Sequence, residues 1–258
     1  MEIIRLYQKL FSRKIFYPFN KKLHALALRG MGILDVCDVH YNGEAVVLQS
    51  ILADQSTGAI FDVGANIGDY IKLIRDYNQT IAIHAFEPHP KTYAVLLQAT
   101  NNLQIVTNNC ALAELSGSLE LYDYADSRTG SDHASLYREV IEDLHSASAQ
   151  ALVVPVLTVD DYCQAHHIDQ IKFIKIDTEG SELKVLRGAT HMLQTGRIKY
   201  IQFEFNHMNI ISRSFLRDFY ELLSAYDIYR VLRDGLVPVP YQETMEIFAY
   251  QNFLAIKK

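Results

Sequence analysis

A glycine-containing loop between an apolar strand and a helix constrains this chain more than any other feature. Residues 60–69 read Ile-Phe-Asp-Val-Gly-Ala-Asn-Ile-Gly-Asp, and a second apolar stretch at residues 81–86 ends directly before Glu87. Glycine is required where a ligand lies close against the backbone. An acid about 20 residues after such a loop accepts hydrogen bonds from a ribose. The pattern predicts an α/β sheet that binds an adenosine-containing ligand.

The spacing of the glycines departs from the dinucleotide-binding fingerprint. That fingerprint would need glycine at positions 64, 66 and 69, where this chain has Gly64, Asn66 and Asp69. The form Asp-x-Gly-x-x-x-Gly resembles the first motif of methyltransferases that use S-adenosylmethionine (SAM). Asp62 can bind the ammonium of SAM, and amides of the loop and helix N-terminus can bind its carboxylate. The alternative is an ordinary turn between a strand and a helix, in which the glycines only end the regular structure.

Composition and charge restrict the class of protein. The 258 residues are 49% hydrophobic and 21% charged, which is typical of a soluble globular chain with one large α/β domain. The net charge of −6 argues against a nucleic-acid partner, and no apolar run reaches the roughly 18 residues of a membrane span. Cys37, Cys110 and Cys163 form neither a metal-binding nor a disulfide pattern, so we expect a cytoplasmic protein.

Alternating strands and helices from residue 59 onward predict a doubly wound, mostly parallel seven-stranded sheet with helices on both faces. Strands are expected near 59–63, 81–86, 104–108, 171–176, 199–205, 228–233 and 247–256. Helices are expected near 68–77, 90–101, 181–194 and 213–225.

Two segments lie outside this alternation. Extra strands near 117–122 and 152–157 flank a polar insertion of about residues 123–151, which we interpret as a lid or substrate loop with a short helix near 135–144. Residues 1–57 are predicted to form a helical and hairpin extension that packs on the core, residues 58–258 being the ligand-binding domain. The apolar N-terminal helix makes a homodimer possible.

A second group of acids follows another buried strand. The stretch 174–183 contains Asp177, Glu179 and Glu182. A helix N-terminus favours acids, which explains Glu182. It does not explain Asp177, because a charge at the end of a buried strand is costly without a partner or ligand.

Four blocks of sequence together resemble the FkbM family of methyltransferases. They are Phe-Asp-Val-Gly-Ala-Asn-Ile-Gly-Asp-Tyr (61–70), Phe-Glu-Pro-His-Pro (86–90), Leu-Thr-Val-Asp-Asp-Tyr (157–162) and Ile-Lys-Ile-Asp-Thr-Glu-Gly-Ser-Glu-Leu-Lys-Val-Leu-Arg-Gly-Ala (174–189). The resemblance implies a class I methyltransferase fold, SAM as cofactor, and methylation of hydroxyl oxygens on sugars, glycans or polyketides. It also implies a cofactor-binding set of Asp62, Gly64, Ala65, Asn66, Gly68, Glu87, Pro88, Asn109, Cys110 and Asp177.

Methylation of a hydroxyl needs a general base, or a metal that lowers the pKa of the hydroxyl. The candidates for this role are Asp177, Glu179, Glu204, His207 and His133. Neighbouring strands would bring Asp177 and Glu204 side by side. With His207 they could hold a divalent metal, an alternative that we do not favour over a base.

These observations predict a SAM-dependent O-methyltransferase that acts on a hydroxyl of a sugar, glycan or secondary metabolite. One alternative is an enzyme that binds NAD or a sugar nucleotide on the same sheet, which would need a third glycine in the loop. The other alternative is a catalytically idle SAM-fold interaction module. An idle module would be expected to have lost Gly64, Gly68 or Glu87 by substitution, and all three are present.

Overall fold

The computed structural model of the protein describes residues 2–34, 41–125 and 134–258. Three helices come first: α1 (Glu2–Phe11), α2 (Tyr17–Gly30) and α3 (Glu44–Ala53). Strands and helices then alternate as β1 (Ala59–Val63), α4 (Asp69–Tyr77), β2 (Ile83–Phe86), α5 (Pro90–Thr100) and β3 (Val106–Asn108). Three further strands follow, namely β4 (Ala111–Leu112), β5 (Gly117–Tyr124) and β6 (Ala149–Leu157).

The C-terminal half returns to the alternating pattern. Its elements are α6 (Val159–Ala165), β7 (Ile171–Ile176), α7 (Glu182–Arg187), α8 (Thr190–Gln194), β8 (Ile198–Phe205), α9 (Met208–Ser212) and α10 (Leu216–Leu222). The last strands are β9 (Tyr226–Leu232), β10 (Gly235–Pro238) and β11 (Gln251–Lys257).

The main sheet has eight strands in the order β10-β9-β11-β8-β7-β1-β2-β3. The five strands from β8 to β3 are parallel, whereas β11 runs antiparallel to β8 and β9. The prediction of a mostly parallel α/β sheet is therefore confirmed. Its strand number was one too low, because the chain after β9 turns back to add β10 as an antiparallel edge.

Helices cover both faces of this sheet, as predicted. Successive side chains of a strand point to opposite faces. Phe61 and Ile174 pack with α6, α7, α8 and α10 on one face, and Ile60 and Phe173 pack with α3, α4 and α5 on the other. Because β1 and β7 are buried on both faces, most of their residues are apolar in the sequence.

The two strands that flank the insertion form a second, smaller sheet with β4. Strand β5 pairs antiparallel with β6, and β6 pairs parallel with β4. The short helix predicted near 135–144 is a π-helical turn at Val140–Leu144. Residues 126–133, which include His133, lie outside the described part of the chain.

The single helix predicted for residues 181–194 is divided into α7 and α8. The two carboxylate oxygens of Asp160 accept hydrogen bonds from the backbone amides of His191 (2.7 Å) and Met192 (3.0 Å), at the start of α8. A Cβ on Gly188 would lie 2.1 Å from the carbonyl oxygen of Ala113. A side chain from α6 and a close backbone approach therefore end one helix and begin the next.

The N-terminal segment divides into two unlike parts. Helix α3 packs in the core through Val47, Leu48 and Ile51, whereas α1 buries no residue and α2 buries only Leu28 among the residues that the structure describes. The hairpin, which the sequence places at residues 30–42, lies partly in the undescribed range 35–40, and the domain boundary after residue 57 stays a prediction. In the described ranges, no helix is long and apolar enough to cross a membrane.

Candidate active site

A cavity of about 480 Å³ opens at the carboxyl ends of β1, β2, β7 and β8. This edge of a parallel sheet is where α/β proteins bind ligands, and the volume suits a small-molecule site. Most of the residues predicted from the sequence line it, namely Asp62, Gly64, Ala65, Asn66, Glu87, Pro88, Cys110, Asp177, Glu179 and Glu204. Gly68, Asn109 and His207 are not among the described residues that line this cavity.

The glycine loop brings the backbones of β1 and β7 together. Gly64 has a φ of +84°, and a Cβ at this position would lie 1.8 Å from the carbonyl oxygen of Asp177. Gly68 has a φ of +88° and precedes α4, and a Cβ there would meet Leu96 at 2.9 Å. Gly64 therefore permits the narrow floor of the cavity, whereas Gly68 permits the packing of the loop against α5.

Asp62 is a buried carboxylate at the end of β1, with only 1% of its surface exposed. Neither of its oxygens accepts a hydrogen bond from any described residue. Burial raises its pKa to about 6, although the nearby ammonium of Lys175 acts in the opposite direction. A buried acid in this state is costly for the fold and is suited to a cationic group of a ligand.

Glu87 holds the two turns that flank it. One oxygen accepts a hydrogen bond from the amide of Asn66 (3.0 Å) and the other from the amide of His89 (2.8 Å). Burial raises the pKa of Glu87 to about 7 despite these two hydrogen bonds. Since a carboxylate can accept about four hydrogen bonds, Glu87 can still bind the two hydroxyls of a ribose.

Two predicted residues have different surroundings from those expected. The side chain of Asn109 donates hydrogen bonds to the carbonyl oxygens of Glu87 (2.8 Å) and Pro88 (3.0 Å), so it fixes the turn after β2 from outside the cavity. His207 is exposed and directly precedes α9. The cavity therefore brings Asp177 and Glu204 together without His207.

Lys175 and Asp177 form an ion pair inside the cavity. The ammonium of Lys175 donates to a carboxylate oxygen of Asp177 at 2.8 Å and lies 5.1 Å from the centre of the Tyr70 ring. Burial lowers the pKa of Lys175, but the charges of Asp177, Glu44 and Asp62 outweigh burial and raise it well above its ordinary value. Lys175 is therefore a fixed cation among carboxylates.

Glu204 lies near the end of β8, the strand that pairs with β7, and it lines the same cavity. One of its oxygens accepts a hydrogen bond from the hydroxyl of Tyr250 at 3.1 Å. Removal from water, together with the charge of Asp177, raises the pKa of Glu204 well above its ordinary value. A carboxyl group whose pKa is raised in this way accepts a proton more readily than an ordinary carboxylate.

The sequence did not predict Lys175 as a site residue, and it also missed Glu44 and Tyr250, which lie far from the motifs. Glu44, at the start of α3, is buried and accepts hydrogen bonds from the side chains of Gln202 (2.8 Å) and Asn252 (3.1 Å). Tyr250 comes from the segment just before β11. No local pattern marks either residue, because each reaches the cavity through contacts with distant parts of the chain.

Metal-binding side chains do not gather at this site in the part of the chain that is described. No group of three or more His, Cys, Asp or Glu residues with suitable geometry occurs within residues 2–34, 41–125 and 134–258. The less favoured metal set of Asp177, Glu204 and His207 is accordingly not brought together, since His207 lies away from the cavity.

Comparison with known proteins agrees with this geometry. A family model described as "Methyltransferase FkbM domain" matches residues 62–227, well over half of the chain. The chain belongs to the FkbM methyltransferase family. The FkbM domain contains all of the described cavity-lining residues except Glu44 and Tyr250.

Two curated relatives illustrate the range of this family. The hexuronic acid methyltransferase AglP of Haloferax volcanii is 23% identical over 157 residues, which cover 59% of each chain. The 31-O-demethyl-FK506 methyltransferase FkbM of Streptomyces tacrolimicus is 27% identical over 152 residues, which cover 50% of this chain and 58% of that protein. The chain thus spans about three-fifths of the length of each relative. Among solved structures, an O-methyltransferase from Bacillus cereus in complex with SAH aligns over 100% of this chain and 98% of its own, with 12% identity and a TM-score of 0.44.

Proposed function

We propose that this FkbM-family protein transfers the methyl group of SAM to a hydroxyl oxygen on a sugar, glycan or secondary metabolite. The carboxylate of Asp62 is the observation that carries the proposal, because it is buried in the cavity without a hydrogen bond from any described residue. The ammonium of SAM would supply the missing partner. A dinucleotide would instead bring a negatively charged pyrophosphate to a cavity that already contains Asp62 and Glu87.

The residues around Asp62 fit the rest of the cofactor. Gly64 keeps the floor of the cavity free of a side chain, and Glu87 has acceptor capacity left for the ribose hydroxyls. Ala65 and Asn66 line the same wall. When bound, SAM supplies a methyl group that its positive sulfur has already activated.

Glu204 is our candidate for the general base. The acceptor hydroxyl must lose its proton as its oxygen bonds to the methyl carbon and the bond from that carbon to sulfur breaks. A carboxylate whose pKa is raised above its ordinary value accepts a proton more readily than an ordinary one. Asp177 is held by Lys175 at 2.8 Å, so it is better placed to orient the acceptor than to receive its proton. The hydroxyl of Tyr250 holds Glu204 in position.

The charge of the cavity favours a neutral acceptor. Seven carboxyl groups line it, and Lys175 is the single Lys or Arg among the described lining residues; the acids are Glu44, Asp62, Asp69, Glu87, Asp177, Glu179 and Glu204. A carboxylate on the acceptor would meet like charges at close range. Within the broad class of hydroxyl acceptors, we therefore propose an uncharged sugar or polyol rather than an acidic one.

Calorimetric titration of the purified protein with SAM and with NAD tests the cofactor assignment. SAM should bind at micromolar concentrations because its cation satisfies Asp62, and NAD should give no heat of binding. Binding of NAD without binding of SAM would contradict the proposed function.

Substitution at the base tests the chemistry, with formation of demethylated SAM as the readout on a panel of neutral and acidic sugar acceptors. Glu204→Gln should lower turnover by about 100-fold or more, and Asp177→Asn should also lower it strongly, with SAM affinity little changed in both. Glu221→Gln is the matched control, because Glu221 is an exposed acid on α10 that pairs with Arg217. Unchanged turnover in Glu204→Gln would remove Glu204 from the mechanism.

A further inference from the structure

The charge of this chain is distributed very unevenly. Residues 1–30 contain seven Lys or Arg residues and one acid, which gives this segment a net charge of +6 in a chain whose total is −6. Residues 31–258 therefore carry −12. The cavity and the FkbM domain both lie in the acidic part, so the basic segment has a different role from the proposed methyl transfer.

Helix α1 has separate apolar and polar faces. At 100° per residue, its apolar side chains fall within an arc of about 160°; they are Ile3, Ile4, Leu6, Tyr7, Leu10 and Phe11. Arg5, Gln8 and Lys9 occupy the opposite face. None of the ten residues of α1 is buried, and Ile3 is 82% exposed. The apolar face is thus complete in the sequence and uncovered in the fold.

Helix α2 continues the same pattern. Phe19, Leu23 and Leu26 share one face and are exposed, with Leu26 at 67%. Lys21, Lys22 and Arg29 lie on another face of the helix. Arg13 and Lys14 add two cations between the helices.

A polar and aromatic junction joins the two helices. The hydroxyl of Tyr7 donates to the side-chain oxygen of Asn20 at 2.6 Å, and the amide of Asn20 donates to the carbonyl oxygen of Phe11 at 3.0 Å. The ring of Phe11 packs against those of Phe16 (5.1 Å) and Phe19 (6.3 Å). Helices α1 and α2 are thereby linked into one unit rather than left as independent tails.

We propose that α1 and α2 form a peripheral anchor that lies on an anionic lipid bilayer. The apolar faces would enter the boundary between head groups and acyl chains, while the long Lys and Arg side chains reach the lipid phosphates. A surface of negative charge is the complement of a segment that carries +6. The acidic remainder of the chain would be repelled by the same surface, so contact is confined to this anchor.

A second copy of the chain fits this surface less well. Pairing the apolar faces of two copies would bring two segments of +6 together. Their Lys and Arg residues, namely Arg5, Lys9, Arg13, Lys14, Lys21, Lys22 and Arg29, outnumber the single acid Glu2 that such a pairing would offer them. An anionic bilayer offers acidic groups without this repulsion.

Sedimentation of the full chain with phospholipid vesicles tests the proposal. Partitioning onto vesicles of phosphatidylcholine with phosphatidylglycerol should be at least about tenfold stronger than onto phosphatidylcholine alone, and it should weaken as salt is raised. No partitioning, or equal partitioning onto the two kinds of vesicle, would overturn the proposal.

Variants separate the contribution of the apolar side chains to vesicle binding from that of the Lys side chains. The triple change Ile3→Ser, Leu6→Ser and Leu10→Ser should abolish most binding, and Lys9→Gln with Lys21→Gln and Lys22→Gln should remove the preference for anionic vesicles. Leu115→Ser with Val153→Ser is the control, because both side chains are nearly as exposed as Ile3 but lie in the acidic part. Since α1 contains no buried residue and the other substituted side chains are exposed, all variants should keep the thermal unfolding and SAM binding of the parent.

Light scattering without lipid tests whether the apolar faces of α1 and α2 instead join copies of the chain. A monomer, or an oligomer that the triple change leaves intact, is expected. An oligomer that dissociates in the triple variant would assign the apolar faces to a contact between copies, and it would overturn the lipid proposal. Equal loss of vesicle binding in the Leu115 and Val153 control would also overturn it.

Discussion

Asp62 and Asp54 are both aspartates close to the main sheet, yet their surroundings are opposite in character. Asp54 accepts hydrogen bonds from Lys199 (2.9 Å), the amide of Ser56 (2.6 Å) and Tyr200 (3.1 Å), which together hold its pKa far below the ordinary value. Asp62 accepts none from the described residues, and burial raises its pKa to about 6. The fold thus stabilises the charge of Asp54 and leaves the carboxylate of Asp62 without a hydrogen bond from the described residues, which is the basis of its proposed role in binding SAM.

The substitution Asp62→Asn should raise the stability of the free protein at pH 8 and weaken SAM binding. Removal of a buried charge without a partner should raise the free energy of unfolding by about 1–3 kcal/mol, and the loss of the ammonium contact should lower affinity at least about tenfold. Thermal unfolding and calorimetry measure the two effects. Asp54→Asn is charge-matched and should instead lower stability with no effect on SAM. A less stable Asp62→Asn protein with normal affinity would show that Asp62 has a structural role.

At the scale of elements, local propensity placed most helices and strands, but contacts set where several of them end. The Ile-rich and aromatic-rich stretches of β7 and β8 predicted those strands almost to the residue. The continuous helical pattern of residues 181–194 was misleading, because Asp160 of α6 supplies the acceptor for the amides at the start of α8. A capping group far away in the sequence leaves no signal in the helix that it caps.

Asp160→Ala should destabilise the protein by about 1–2 kcal/mol, because an exposed amide and a partly buried amide at the start of α8 would both lose their acceptor. Urea denaturation measures the change. Asp169→Ala removes an exposed acid whose nearest cation, on Arg197, lies at 3.8 Å, so it should change stability by less than about 0.5 kcal/mol. Equal effects of the two substitutions would argue against the capping role.

At the scale of the whole molecule, the carboxyl groups of the cavity couple folding and binding to pH. The pKa of Asp62 rises from 3.8 to about 6 and that of Glu87 from 4.5 to about 7. The folded protein therefore retains protons that the unfolded chain releases in this range. Their contribution to the free energy of unfolding is largest below the unfolded values and decreases as pH rises through about 6 to 7.

Binding of SAM should release the protons that the folded protein retains, because a cation beside Asp62 favours the carboxylate. We expect SAM to release protons on binding near pH 6.5, and its affinity to fall as pH is lowered from about 7.5 to 5.5. Calorimetry in two buffers of different ionisation enthalpy measures the release. The release should be smaller in Asp62→Asn than in the parent. An affinity independent of pH across this range would show that neither acid meets the ligand.

The sequence by itself determined the parallel sheet, its glycine loop and the acids that follow β1, β2 and β7. These features depend on side-chain periodicity, on positive φ angles and on neighbours in the chain, all of which a local pattern records. Tertiary structure alone decided that Glu44 and Tyr250 enter the cavity and that Asn109 and His207 stay outside it. It also decided that the apolar faces of α1 and α2 remain uncovered. The physical reason is that these outcomes depend on contacts between residues far apart in the chain, such as Glu44 with Gln202 and Asn252, which leave no trace in the sequence around either partner.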